Sequence, residues 1–425
     1  MLVLNNILFN DYGKRIDYDY SVDSSVQKYF NTKDSFYIKY GIDVSNIPKS
    51  VAVIPFLSNI IPIAWFGNFY IEVDEIDEDF FNAIEEVKTE FSKQYPNYTL
   101  KGGVKAKKII KNSISGNKSA MLFSGGVDAY ATYIRTIEEQ LDLITIHGAD
   151  IAIEDKTQWN DFTNLIDKES LLKKNEKEYI ETNVRTFYTY QVELLLKDIG
   201  WWGKVQHGLS LIGSVAPLSF IKKYTTLYIA SSYTKQVDVA WGSTPEVDNK
   251  ISWSGLKVIH DGYELKRQDK VDLIADFGAK SKNPIHLRVC YSERRKDFNC
   301  SNCEKCYRTI LGLVLAGENP NNYGFIVNEK FYSDMFNVLQ LGSSSIGMKY
   351  FWRELMEKSK VTKGPFIFKN TDEELQQIKN IANGKIDDLL AEKLKNKKNS
   401  LANVKFILRN KFSKTYALYR KLKNN

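Results

Sequence analysis

All four cysteines of the chain, Cys290, Cys300, Cys303 and Cys306, fall within 17 residues with the spacing C-x9-C-x2-C-x2-C. Four thiolates so close together suit a tetrahedral Zn2+ ion, which takes soft sulfur ligands and has no open position once protein supplies all four. An iron–sulfur cluster uses a similar C-x2-C-x2-C run and is the rival reading. Disulfides fit poorly. The start, Met1-Leu2-Val3-Leu4-Asn5-Asn6, has no basic region followed by a long apolar run, so no export signal is read there and the expected location is cytoplasmic. If a metal takes every thiol, none remains as a nucleophile, which disfavours persulfide chemistry.

The second chemical feature is Ala120-Met121-Leu122-Phe123-Ser124-Gly125-Gly126-Val127-Asp128-Ala129. It reads as a buried strand, a Gly-Gly turn and the start of a helix. Glycines let the backbone approach an anion's oxygens, and the N–H groups and dipole of the helix start then hold its charge. Ser124 adds a hydroxyl donor. Asp128, in the first helical turn, can cap the helix or help hold Mg2+. No Gly-Lys-Ser/Thr follows, so this is not a Walker A loop. The plain alternative is a tight turn ending in a helix cap.

Other candidates lie between these two features. His147 and Gly148 follow a strand candidate, at the strand end that faces the ligand crevice of a doubly wound sheet, and would suit adenine or ribose. His207 opens an apolar helix and can donate to a phosphate or act in acid–base chemistry. Ser231, with Ser232, follows a further strand candidate. In the turn-rich loop 241–248, Trp241 can stack on a flat acceptor and Asp248 can take donor edges or Mg2+. Arg267 and Lys270, three apart, share a helix face close to His260, Asp261 and Glu264, and form the best local group for handling pyrophosphate. Each has a bland counterpart: a strand-to-loop turn, a cap-region histidine, a solvent-facing loop, a surface salt-bridge face.

The loop Ser124-Gly125-Gly126-Val127-Asp128 resembles the SGGxDS loop of PP-loop ATP pyrophosphatases, with Ala129 where that family has serine. The segment Leu287-Arg288-Val289-Cys290, then Asn299-Cys300-Ser301-Asn302-Cys303-Glu304-Lys305-Cys306-Tyr307-Arg308, then Ala316-Gly317, resembles the zinc end of the 7-cyano-7-deazaguanine synthase (QueC) family. There, too, the PP-loop opens the domain and four cysteines close it. Lys270 resembles that family's lysine before an apolar helix, and residues 241–248 sit where relatives carry a substrate-contacting segment. The resemblance covers roughly 118–325. It implies a doubly wound α/β fold that binds ATP with Mg2+ and cleaves it to AMP and pyrophosphate while adenylating a substrate oxygen. Asp128, Arg267 and Lys270 would act in catalysis, and Ser124, Gly125, Gly126, Val127, Asp128, Ala129, His147 and Gly148 would hold ATP. His207, Ser231, Trp241 and Asp248 would face the acceptor, and the cysteines would hold a structural Zn2+.

Elements must position these residues. Apolar strand candidates at Ser119–Phe123, Leu141–His147, Thr226–Ala230 and Ile285–Cys290 alternate with helical segments, including Ala129–Gln140 and Leu209–Lys222. That alternation predicts an α/β domain over 113–325 with a parallel sheet covered on both faces, and the resemblance implies that it is the doubly wound sheet of the PP-loop/HUP-like class. Residues 1–112 read as a separate N-terminal α+β domain with one amphipathic helix at Glu78–Gln94. The apolar run Val51–Phe66, broken by Pro55 and Pro62, reads as buried strands joined by a turn rather than a membrane span. Residues 326–425 read as helical, over Glu329–Leu341, Met348–Lys358 and Asp372–Lys398.

The net charge of +7 is unevenly placed. Residues 391–425 hold eleven lysines and arginines against Glu392 alone, a net +10 that leaves the rest at −3. The basicity belongs to the tail, so nucleic acid is not favoured as a partner of the body. The tail, which interleaves cations with Phe, Tyr, Leu and Ile, fits a membrane surface, a protein partner or the protein's own core.

The expected activity is activation of a carboxylate or amide by ATP for C–N bond or nitrile formation. The acceptor would be a small molecule such as a deazapurine, or a partner protein in anti-phage defence. Amidation of a sugar acid or similar metabolite is an alternative. A non-catalytic nucleotide sensor or scaffold is another, kept open by Ala129.

Overall fold

The computed structural model describes residues 1–282, 285–290, 298–341, 345–392, 406–407 and 410–411. The first strands, β1 (Leu2–Asn10) and β2 (Arg15–Val22), pair as an antiparallel hairpin. There follow β3 (Tyr37–Tyr40), α1 (Lys49–Ala52), α2 (Ile54–Gly67), β4 (Tyr70–Asp77), α3 (Glu78–Gln94) and β5 (Gly103–Ile110). Helix α3 has the bounds its pattern predicts. The Asp77 side chain accepts from the Phe80 N–H at 3.1 Å, and Phe80, Ile84, Val87 and Phe91 are buried on one face.

The run Val51–Phe66 is helical, not stranded. Pro55 lies in the first turn of α2, where its missing N–H is not needed, and Pro62 removes one internal hydrogen bond. Every side chain from Ile54 to Trp65 is buried. A helix surrounded by protein is apolar all round, so it loses the 3.6 period that would distinguish it from a buried strand.

The chain continues through β6 (Lys118–Leu122), α4 (Val127–Arg135), β7 (Asp142–His147), α5 (Lys156–Lys168), β8 (Lys177–Thr182), α6 (His207–Gly213), α7 (Ala216–Lys222), β9 (Tyr224–Ala230), α8 (Pro245–Asp248), β10 (Ser252–Trp253), β11 (Leu256–Asp261) and α9 (Arg267–Ser281). Five of these strands are parallel neighbours in the order β11-β9-β6-β7-β8. Numbered along the chain from β6, that is 5-4-1-2-3, the doubly wound arrangement. Successive residues of the central strands serve two cores. Ala120, Ile144 and Leu227 pack toward α2, α6 and α7, while Met121, Leu143 and Tyr228 pack toward α4, α9 and the helices after it. Burial on both faces is what a parallel sheet with helices on each side requires.

No break in the sheet sets residues 1–112 apart. β3 pairs antiparallel with β8, and the sheet runs on through β2, β1, β4 and β5 to eleven strands. The join is stitched by Asn183, whose Oδ1 accepts from the Tyr37 N–H at 3.0 Å, and by the Thr182 hydroxyl, which donates to the Tyr37 carbonyl at 2.6 Å. Pairing with β3 covers an edge of β8 that would otherwise stand open.

Two further expectations change. Ile285–Cys290 is extended but joins no sheet; its Leu287 N–H donates to the Tyr323 carbonyl at 3.1 Å. The helix read as Leu209–Lys222 is two, α6 and α7, with Pro217 opening the second. The C-terminal region is helical as expected: α10 (Glu304–Leu315), α11 (Phe331–Leu341), α12 (Ile346–Val361), α13 (Thr371–Ala382) and α14 (Lys385–Glu392). Gly384, at φ 101°, separates the last two. The basic tail lies outside the described residues, apart from the end of α14, 406–407 and 410–411. Among the described residues no helix is long and apolar enough to cross a membrane.

Candidate functional site

The chain reverses direction across the sheet between β6 and β9, and a crevice opens at their C-terminal ends. The glycine loop lies there. Gly125 has φ 71°, a conformation glycine adopts without strain. Gly126 is the N-cap of α4 and supplies no capping side chain, so the first N–H groups of the helix remain available to a ligand. The Arg288 N–H donates to the Gly125 carbonyl at 2.7 Å. The predicted strand 285–290 is therefore used as a clasp on the loop.

Two connected hollows meet at the loop. A slot of about 120 Å3 runs between the strand ends, lined by Phe123, Ser124, Ala129, Ile144, Ile146 and Ile229. It shares Asp128, Ala149, Asp150, His207 and Ser232 with a cleft of about 610 Å3. The cleft carries both charge signs, with Asp128, Asp150, Glu154 and Asp155 against Arg185, Arg267, Lys305 and Arg308. Trp202, Tyr233, Trp241 and Phe351 form aromatic walls.

Asp128 is the electrostatic centre. Arg267 Nη1 donates to one carboxylate oxygen at 2.7 Å and Lys270 Nζ to the other at 3.2 Å. Burial alone would raise this carboxyl, but the Arg267 and Lys270 charges outweigh it and hold the group at about 2. Arg267 lines the cleft. Lys270 lies behind Asp128, almost fully buried, and also donates to the Ser231 carbonyl at 2.5 Å.

The remaining expected residues divide. Gly148, His207 and Trp241 line the cleft. Burial pushes His207 below its ordinary value, against the pull of Asp150, so its ring is neutral near pH 7. Its Nδ1 and the Trp241 Nε1 are buried with no hydrogen-bond partner among the described residues. His147 does not line the cleft. Its ring stacks on Trp159 at 4.4 Å, and its Nε2 lies 3.1 Å from the Ala152 carbonyl. Ser231 is buried and donates to the Tyr233 carbonyl at 2.6 Å, leaving Ser232 to face the hollow. Asp248 is fully buried, receives the Ser243 hydroxyl at 2.6 Å and faces His260 Nδ1 at 2.7 Å. Its carboxylate braces the strand β11 and the helix α8.

Gly148 has φ 102°, and a Cβ there would collide with the Thr182 carbonyl oxygen. Gly148→Ala is expected to lower stability by about 2–4 kcal/mol and to displace Ala149 and Asp150 from the cleft. Denaturant melts and nucleotide titration of the variant would check this.

The four cysteines converge. Their Sγ atoms all lie within 4.8 Å of one another, with Cys290–Cys303 at 3.9 Å and Cys300–Cys306 at 3.8 Å. Zinc–sulfur bonds of about 2.3 Å in a tetrahedron place sulfurs about 3.8 Å apart, so the thiols fit one such ion. A cluster of several irons needs its ligands further apart. Asn299 secures the arrangement: its Oδ1 accepts from the Val289 and Cys290 N–H groups, and its Nδ2 donates to the Leu287 and Gly324 carbonyls. Asn299→Ala leaves these four groups unpaired in a buried site, and a loss of about 3 kcal/mol with weakened metal retention is expected. Metal content after dialysis against a chelator, beside a melt, measures both.

Asp150 lies in the segment that follows His147 and Gly148, whereas the sequence assigned no role to Arg185, Tyr233, Lys305 and Arg308; all five face the cleft. Lys305 and Arg308 left a signal, because they interleave with Cys303 and Cys306 at the start of α10. Burial and the nearby Arg267 lower Lys305 to about 7, and burial also lowers Arg308 from its ordinary value. Arg185 donates to the Ala149 carbonyl at 3.3 Å and lies over the Trp202 ring. Comparison with family models, with curated proteins and with solved structures gives no match.

Proposed function

We propose that the protein is an ATP-dependent adenylating enzyme of the PP-loop, QueC-like type, which activates a carboxylate or amide oxygen for attack by nitrogen. The observation that carries this reading is the position of Ser124–Asp128, a glycine turn capping a helix at the point where the sheet order reverses, beside a slot walled by Ile144, Ile146 and Ile229. Adenosine fills the slot. The loop N–H groups and the Ser124 hydroxyl meet the α-phosphate. Asp128, ionised throughout the working pH range, and Asp150 are the carboxylates that would hold Mg2+, which supplies charge neutralisation on the phosphates.

The acceptor enters along the aromatic wall of Trp202, Tyr233 and Trp241. Its oxygen attacks the α-phosphorus and pyrophosphate departs. Arg267 stabilises the leaving charge, and Lys270 holds Asp128 and the Ser231 backbone in place around it. Ammonia then displaces AMP to give an amide; where a second ATP adenylates that amide's oxygen, loss of AMP and an N–H proton leaves a nitrile. The unpartnered His207 Nδ1 and Trp241 Nε1 are the groups available to an acceptor oxygen. Zinc on four thiolates is structural. A deazapurine or a protein in an anti-phage system is the proposed acceptor, with a sugar acid as the metabolite alternative. Ala129, whose methyl lines the slot where a hydroxyl would add a phosphate contact, favours a second reading: a nucleotide sensor that binds without turnover.

The test uses the zinc-loaded protein with ammonia and a panel of carboxylic acids. ATP should be consumed, while α,β-methylene-ATP should bind and remain intact. Release of phosphate from the analogue would place cleavage at the β–γ bond and contradict adenylation. Binding of ATP with no consumption under any acceptor would favour the sensor.

A further inference from the structure

We propose that Lys305 and Arg308 grip the outer phosphates of the nucleotide, on a helical turn fixed by the cysteine centre. The inference rests on the ATP reading above and names residues that reading did not use. Cys303 is the N-cap of α10, and Lys305, Cys306 and Arg308 follow within its first two turns. Cys303 and Cys306 lie three apart, as do Lys305 and Arg308, so one stretch of helix turns two sulfurs toward the metal centre and two cations toward the cleft. The N-terminal end of this twelve-residue helix adds its own positive field.

Around them cations crowd together, faced by Asp128, Asp150 and Glu304. Arg267, Lys270, Lys305 and Arg308 gather near Asp128, whose two oxygens each accept one hydrogen bond, from Arg267 and from Lys270. Glu304 stands 3.6 Å from Arg308 Nε, beyond hydrogen-bond reach, and its Oε1 receives the Trp352 indole N–H at 2.9 Å. The Nε groups of Arg267 and Arg308 are both buried with no hydrogen-bond partner among the described residues. Their side chains are only 9% and 11% exposed. Buried guanidinium N–H groups without acceptors call for an anionic ligand, and a planar fork suits phosphate. Phe351 lies against the Arg308 guanidinium at 4.4 Å and fixes its plane.

Calorimetric titration of the zinc-loaded protein with AMP, Mg·ATP and Mg·pyrophosphate tests this on wild type, Lys305→Ala, Arg308→Ala and Lys305→Arg. The alanine variants should lose about 10- to 100-fold in affinity for ATP and pyrophosphate and none for AMP. Lys305→Arg should recover most of the loss. Equal losses for AMP and ATP, or unchanged ATP affinity, would overturn the proposal while leaving the ATP reading intact. A wild-type protein that binds neither AMP nor ATP would overturn both.

Discussion

Replacing Cys306 with serine is expected to release the metal and to lower stability by about 5 kcal/mol or more. Cys306 is fully buried, 3.8 Å from Cys300, at the turn where α10 meets the cleft. A serine hydroxyl is a poor zinc ligand, and the three remaining thiols, drawn together without the ion, would repel as thiolates. The damage should spread beyond the centre. Segment 285–290 leads into Cys290 and clasps Gly125, while α10 leads out of Cys306 and carries Lys305 and Arg308. Atomic emission should find about one zinc per wild-type chain and much less in the variant, with a matching fall in the denaturant midpoint. Iron in place of zinc, or an unchanged midpoint after the metal is lost, would contradict this account of the centre.

Asp128→Ala should remove AMP formation and also destabilise the protein by about 3–5 kcal/mol, because it strands Arg267 and Lys270 in a buried site without their counter-charge. The pH dependence has a definite sign. The folded-state carboxyl sits at about 2, below its ordinary 3.8, so its contribution is present above about pH 4 and is lost as pH falls through about 2. A shift of this size corresponds to about 2 kcal/mol. Acid titration of stability should therefore be steeper between pH 4 and 2 in wild type than in Asp128→Asn. Identical slopes would mean that Asp128 is not held as the ion pairs imply.

The features legible in the sequence are those whose chemistry is compressed into short spacing. The Ser124–Asp128 loop folds within one turn, and the structure brings the four sulfurs of the cysteine run within 4.8 Å of one another. Helix α3 was legible because Asp77 marks its start and one face alone is buried. Helix α2 was not, since burial on every side erases periodicity. The segment Ile285–Cys290 has the composition of a strand, but its N–H groups are spent on Tyr323, the glycine loop and Asn299. Asp248 and His147 were plausible site residues by type; their partners, His260 and Trp159, lie 12 residues away in each case and could not be paired from sequence. The join of β3 to β8 was equally hidden, because it pairs segments far apart in sequence, with Tyr37 and Thr182 separated by 145 positions.

The most direct measurement is the identity of the nucleotide product when the zinc-loaded protein turns over α-labelled Mg·ATP with ammonia and a panel of carboxylic acids. AMP and pyrophosphate in equal amounts are predicted for wild type, and neither for Asp128→Asn. ADP with inorganic phosphate as the products would contradict the central claim.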